Sequence, residues 1–177
     1  MKITITIEKT KTFLKLCSIL CAVILVLFVF HLQGYRINMS NSLPHWIYRV
    51  FDLEDQTITR GDYVVLNNSL VAQSYTTKTP FDHKYLDRFP LLKQIGAVSG
   101  DVVLLQDDCI YINDIDFGPM KILSADSRGN RLSPFPTPVT LQSEEYWLVS
   151  NPDGGFDSRY FGKINRDCIT HVAYPVY

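Results

Sequence analysis

Between Leu16 and Tyr35 the chain runs "LCSILCAVILVLFVFHLQGY" without one formally charged residue. A helix rises about 1.5 Å per residue, so roughly 20 such positions cover a hydrocarbon core. This feature predicts one N-terminal transmembrane helix, which we place at residues 13–35. A cleaved signal peptide passes the same length test, but its cut needs small residues at alternate positions after the apolar run. "HLQGYRINM" offers bulky ones instead, so the segment reads as an uncleaved anchor. Lys2, Lys9, Lys11 and Lys15 stand before the span against Glu8, while Arg36 alone starts its far side. The basic flank stays in the cytoplasm. Residues 1–12 are therefore expected in the cytoplasm and residues 36–177 beyond the membrane. That is a single-pass arrangement in the inner (cytoplasmic) membrane, with a periplasmic or otherwise extracytoplasmic domain.

The outward segment is long enough for one domain with its own core. A formal net charge of −1 argues against nucleic acid as a partner and leaves the lipid bilayer as the first one expected. Cys17 and Cys21 lie inside the span and read as small apolar packing residues rather than metal ligands. Cys109 and Cys168 fall in the outward domain, where an oxidising compartment would permit a disulfide, although their spacing says nothing about proximity.

Short β-type runs fill that domain: "DYVVL" (62–66), "LLKQIGAV" (91–98), "DVVLL" (101–105), "CIYIN" (109–113), "EYWLVS" (145–150) and "CITHVAY" (168–174). Turn-rich stretches separate them, which predicts a mainly β, antiparallel fold. "NSLVAQSYTTK" (68–78) reads as a short helix and the proline-rich "RLSPFPTPVT" (131–140) as loop or edge. In "LLKQIGAV", strict alternation puts Leu91, Lys93, Ile95 and Ala97 on one face, threading a lysine into an apolar row. Poor hydration penalises an ammonium and lowers its pKa, and a neutral lysine is a competent general base. An edge lysine that reaches back to water fits the same pattern. A serine hydroxyl needs such a base to become a nucleophile. "SNSLPHWIYRV" (40–50) supplies Ser40 and Ser42 just after the anchor.

Taken in order, these stretches resemble the type I signal peptidases, family S26, and most closely the TraF-like conjugative-transfer branch. "SNSLPHWIYRV" is similar to that branch's serine box, "RGDYVVL" to the next strand, and "LLKQIGAVSGD" to the lysine box. "CIYIND" and "DSRGNRL" resemble its hairpin and linker, and "NPDGGFDSRYFG" (151–162) its last box. The resemblance implies a signal-peptidase-like antiparallel β domain behind the anchor, with Ser42 as nucleophile and Lys93 as general base. It also implies an oxyanion site made by the Ser42 N–H and the Ser40 hydroxyl. Asp157 and Arg159, two apart, are positioned to pair on an extended segment, and the resemblance gives them a structural role beside the site. No cofactor and no metal are expected. The implied partner is a membrane-bound precursor, most closely a conjugative pilin precursor, otherwise another exported preprotein. Some members of the branch then join the trimmed pilin head to tail.

The chain departs from the family pattern at Trp46, Gln94 and Ser99, which bear on packing, and at Gly155, where the family commonly has a serine that orients the lysine. A water or a hydroxyl from another strand is expected to replace it, with Gly155→Ser tolerated. Two readings compete. A Ser-His hydrolase would use His45, His83 or His171; a non-catalytic β module would scaffold a pilus or secretion complex. Asp153, beside two glycines, reads as a turn residue rather than a triad acid.

Overall fold

The computed structural model of the chain describes residues 2–54, 56–75, 90–126, 129 and 131–176. Two compact units divide it, residues 1–36 and 37–177. The first is dominated by one helix, α1 (Lys2–Leu32), in which Thr10–Leu32 has a mean hydropathy of 2.8 and is long and apolar enough to cross a membrane. The lysine-bearing residues before that span continue the same helix. A short strand, β1 (Tyr35–Ile37), follows it.

The second unit is built from two antiparallel sheets. β2 (Ile47–Asp52), β3 (Tyr63–Leu66), β4 (Leu92–Ala97) and β5 (Val102–Gln106) come first, with α2 (Asn68–Tyr75) after β3. β6 (Cys109–Ile112), β7 (Ile115–Pro119), β8 (Val139–Thr140) and β9 (Glu145–Val149) follow. The chain ends with the one-turn helix α3 (Ser158–Phe161), β10 (Ile164–Asn165), a 3₁₀ turn at Arg166–Cys168 and β11 (Ile169–Val176). Within this unit the larger sheet orders its strands β2-β11-β3-β4-β9-β10, and the smaller one β7-β6-β5-β8. The mainly β antiparallel expectation holds. "NSLVAQSY" is the predicted helix, and residues 76–78 of that prediction lie outside the described residues. The proline-rich stretch contributes the edge strand β8 and, at Arg131, an isolated antiparallel bridge to Ala125.

Alternation along β9 divides the core. Tyr146 and Leu148 join one apolar cluster with Val64, Ile95 and Ile164, while Trp147 and Val149 join a second with Val103, Ile110 and Ile112 of the smaller sheet. β4 does not keep its alternation. Its register against β9 slips between Ile95 and Ala97, so Ile95 enters the first cluster and Ala97 the second. The predicted common face of Leu91, Lys93, Ile95 and Ala97 therefore breaks at Gly96. A Cβ there would stand 2.7 Å from Val149 Cγ1, so glycine permits the close approach of the two strands. Gly100, at φ 88°, turns the chain into the smaller sheet, and Asp101 fastens that turn by accepting from the Val98 N–H, Arg60 and Asn113.

The cysteines do not pair. Cys109 lies on β6 and Cys168 in the first core cluster, and both are free thiols, so the permitted disulfide is absent.

Candidate active site

The loop ahead of β2 is organised by Asn38. Its Oδ1 accepts from the Ser40 N–H at 3.1 Å and from Ser40 Oγ at 2.8 Å, and its Nδ2 donates to the His45 carbonyl at 3.1 Å. Leu43 pins the loop from below by packing with Tyr48 and Ala173. Asn151 holds it from the other side: its N–H donates to the Ser42 carbonyl at 2.7 Å and its Nδ2 to the Asn41 carbonyl at 2.8 Å. Among the described residues the Ser42 N–H makes no hydrogen bond, which leaves it available to an incoming oxygen.

Ser40 Oγ and Ser42 Oγ lie 2.6 Å apart. A hydroxyl has one proton to give, and that of Ser40 goes to Asn38, so the Ser42 hydroxyl donates to Ser40. Among the described residues neither Lys93 nor a histidine is hydrogen-bonded to Ser42. His45 meets the edges of Tyr48 and Tyr63, His171 lies 3.3 Å from Asp52 Oδ1, and His83 lies outside the described residues.

Lys93 sits on β4 opposite Val64 of β3 and is only 3% exposed. Burial pushes its ammonium down to about 8, against the pull of the Asp157 carboxylate and with the push of the Arg159 guanidinium. At neutral pH a useful minority of such an amine is unprotonated. The edge-lysine alternative, which needs water around the ammonium, does not describe this side chain.

Asp157 and Arg159 are both fully buried and pair twice, Nη2 to Oδ2 at 2.8 Å and Nε to Oδ1 at 2.9 Å. The segment is not the extended one expected from their spacing. Asp157 is the N-cap of α3, accepting from the Arg159 N–H, and Arg159 lies within the helix. Arg159 also gathers four backbone carbonyls, those of Lys121, Asn151, Pro152 and Gly155. Its Nη1 and Nη2 groups thus mould the 151–155 turn, from which Asn151 reaches the serine loop. Asp153 lies on the exposed side of that turn, its N–H bonded to Asn151 Oδ1 at 2.8 Å.

Asn38, Ser150 and Asn151 matter here and were not singled out in the sequence. Asn38 lies in "RINM", read in the sequence only as too bulky for leader cleavage, and Asn151 opens a turn whose signal is local. Ser150 ends the "EYWLVS" run, where a polar residue normally marks only the strand's end.

The signal peptidase, peptidase S26, family model matches residues 10–177. A plasmid transfer protein TraF of Escherichia coli is 27% identical over 157 residues, covering 82% of this chain and 84% of its own length. A conjugal transfer protein TraF of Agrobacterium fabrum is 28% identical over 148 residues, covering 81% and 82%. The crystal structure of a signal peptidase I from Enterococcus faecalis matches with a TM-score of 0.40 at 18% identity, over 66% of this chain and 97% of that one.

Proposed function

This chain belongs to the signal peptidase family, peptidase S26, and on that premise we propose that it is a membrane-anchored serine endopeptidase that removes the leader from exported precursors. Ser42 attacks the scissile carbonyl and Lys93, as the neutral amine, takes its proton. The developing oxyanion is met by the Ser42 N–H and, once it turns from Asn38, by the Ser40 hydroxyl. Lysine then returns the proton to the leaving amine, and water hydrolyses the acyl-serine by the same route. The observation that carries this reading is Lys93: an amine 3% exposed and pushed down to about 8 is costly to keep and suited to a base near neutral pH.

The apolar helix Thr10–Leu32 supports a single-pass anchor in the cytoplasmic membrane, with the lysine-rich end inside and the peptidase domain outside. Clients are then precursors with a membrane segment of their own. Relatives named for plasmid and conjugal transfer favour a conjugative pilin precursor. Co-expression with such a precursor, read by intact mass, tests the proposal. Loss of the leader with the wild-type chain and none with Ser42→Ala or Lys93→Ala is expected; a further loss of one water would mark head-to-tail closure. Because the two residues act together, the double variant should be little worse than either single one. Cleavage near the wild-type rate by a folded Lys93→Ala protein would end the dyad proposal.

A further inference from the structure

A lysine base has a flexible stem and three rotatable donors, and its efficiency depends on a second partner that turns it toward the serine. We propose that Ser150 is that positioning residue, occupying the space a side chain at 155 would fill; the proposal rests on Lys93 being the base.

Three observations meet at Ser150. The first is register: β4 and β9 pair Ile95 with Leu148 and Gln94 with Val149, and Ser150, the residue just after β9, is next in line with Lys93. Directly opposed residues of an antiparallel pair point to the same face. The second is hydrogen bonding. Ser150, 6% exposed, donates its hydroxyl to Asp157 Oδ2 at 2.7 Å and its N–H to the same oxygen at 2.9 Å. With its one proton committed to a buried carboxylate, the hydroxyl oxygen faces its surroundings as an acceptor. A neutral amine has N–H groups to give and one lone pair. Giving an N–H to Ser150 leaves the lone pair to receive the Ser42 proton.

The third observation is Gly155 itself. A Cβ built there would overlap Ser150 Oγ, and it would lie 2.9 Å from Ser150 Cβ and 3.0 Å from the Asn151 carbonyl. Its backbone is not in the left-handed region, so glycine is present for room rather than for conformation. The expected tolerance of Gly155→Ser is thereby corrected: with Ser150 in place, residue 155 has no space for a side chain. Two hydroxyls compete for one position, and this chain fills it from residue 150.

The test exchanges them in the full-length chain in detergent micelles. Cleavage of an internally quenched peptide with alanine at the first and third positions before the scissile bond reports kcat and KM. Ser150→Ala and Ser150→Gly should each lower kcat by ~10²-fold with KM unmoved, the scale of a misplaced catalytic group. Gly155→Ser alone should also lose activity. The pair Ser150→Gly with Gly155→Ser should return to within roughly tenfold of wild type, while Ser150→Gly with Gly155→Ala, which refills the space without a hydroxyl, should stay low. Near-wild-type kcat in folded Ser150→Ala, no recovery in the serine exchange, or equal recovery with alanine would each overturn the proposal. Activity that survives Lys93→Ala would instead remove the base assignment on which it stands.

Discussion

Replacing Lys93 with methionine should end cleavage and make the protein more stable. Methionine has a similar length and no charge to desolvate, so it suits the same apolar wall. The gain can be worked from the lysine's own titration. Burial moves the ammonium from its ordinary 10.5 to about 8. That difference of about 2.5 pH units is worth about 3 kcal/mol at roughly 1.4 kcal/mol per unit. Below about 8 both the folded and the unfolded chain hold the proton, and the folded state carries the whole penalty. Between about 8 and 10.5 the folded chain has released it while the unfolded chain has not, so stability rises with pH there. Lys93→Met should therefore exceed the wild type by about 3 kcal/mol at pH 7 and by only about 1 kcal/mol at pH 9.5. Urea unfolding in detergent, followed by fluorescence of the fully buried Trp147, measures both gaps. A variant no more stable than wild type at pH 7, or a gap that does not narrow by pH 9.5, would refute the claim that burial is what lowers this lysine.

The same titration fixes the pH profile: kcat/KM should rise with the neutral amine and level off above about 8, and EDTA should leave it unchanged; a plateau already reached at pH 6 would oppose a lysine base. Arg159→Met should cost about 3–5 kcal/mol in the same urea assay, because it strands the buried Asp157 carboxylate and frees four carbonyls; a loss below 1 kcal/mol, an order-of-magnitude threshold, would count against Arg159 as the organiser of the turn. Peptide mapping of exported protein should find Cys109 and Cys168 as free thiols, with Cys168 the slower to alkylate because burial pushes its thiol up; a 109–168 disulfide would contradict the fold.

The N-terminal apolar helix and six of the strands are legible in the sequence because each rests on a local periodicity or a long apolar run. What escapes the pattern is set by contacts distant along the chain. The face switch at Gly96 comes from Val149 on the neighbouring strand, and a count of alternate residues has no access to that neighbour. β2 shows little alternation of its own, because Tyr48 is its one buried residue. Ser42 and Lys93 stand out by residue type, but the supports beneath them do not. Asn151 gains its role from Asn41 and Ser42, and Ser150 from the register of β4 with β9. Asp157 and Arg159 were legible as a pair while their geometry was not, since capping a one-turn helix and lying two apart on an extended chain produce the same spacing.

The bond from Asn151 to Asn41 joins residues 110 apart in sequence. The serine loop, made before the turn near the other end of the chain, cannot take up its final position until that turn has formed. Contacts of such separation close late. A chain interrupted between residues 94 and 149 contains both Ser42 and Lys93, yet lacks the Asn151 turn that braces the serine loop. The arrangement acts as a check on completeness: proteolytic competence arrives only with the whole domain.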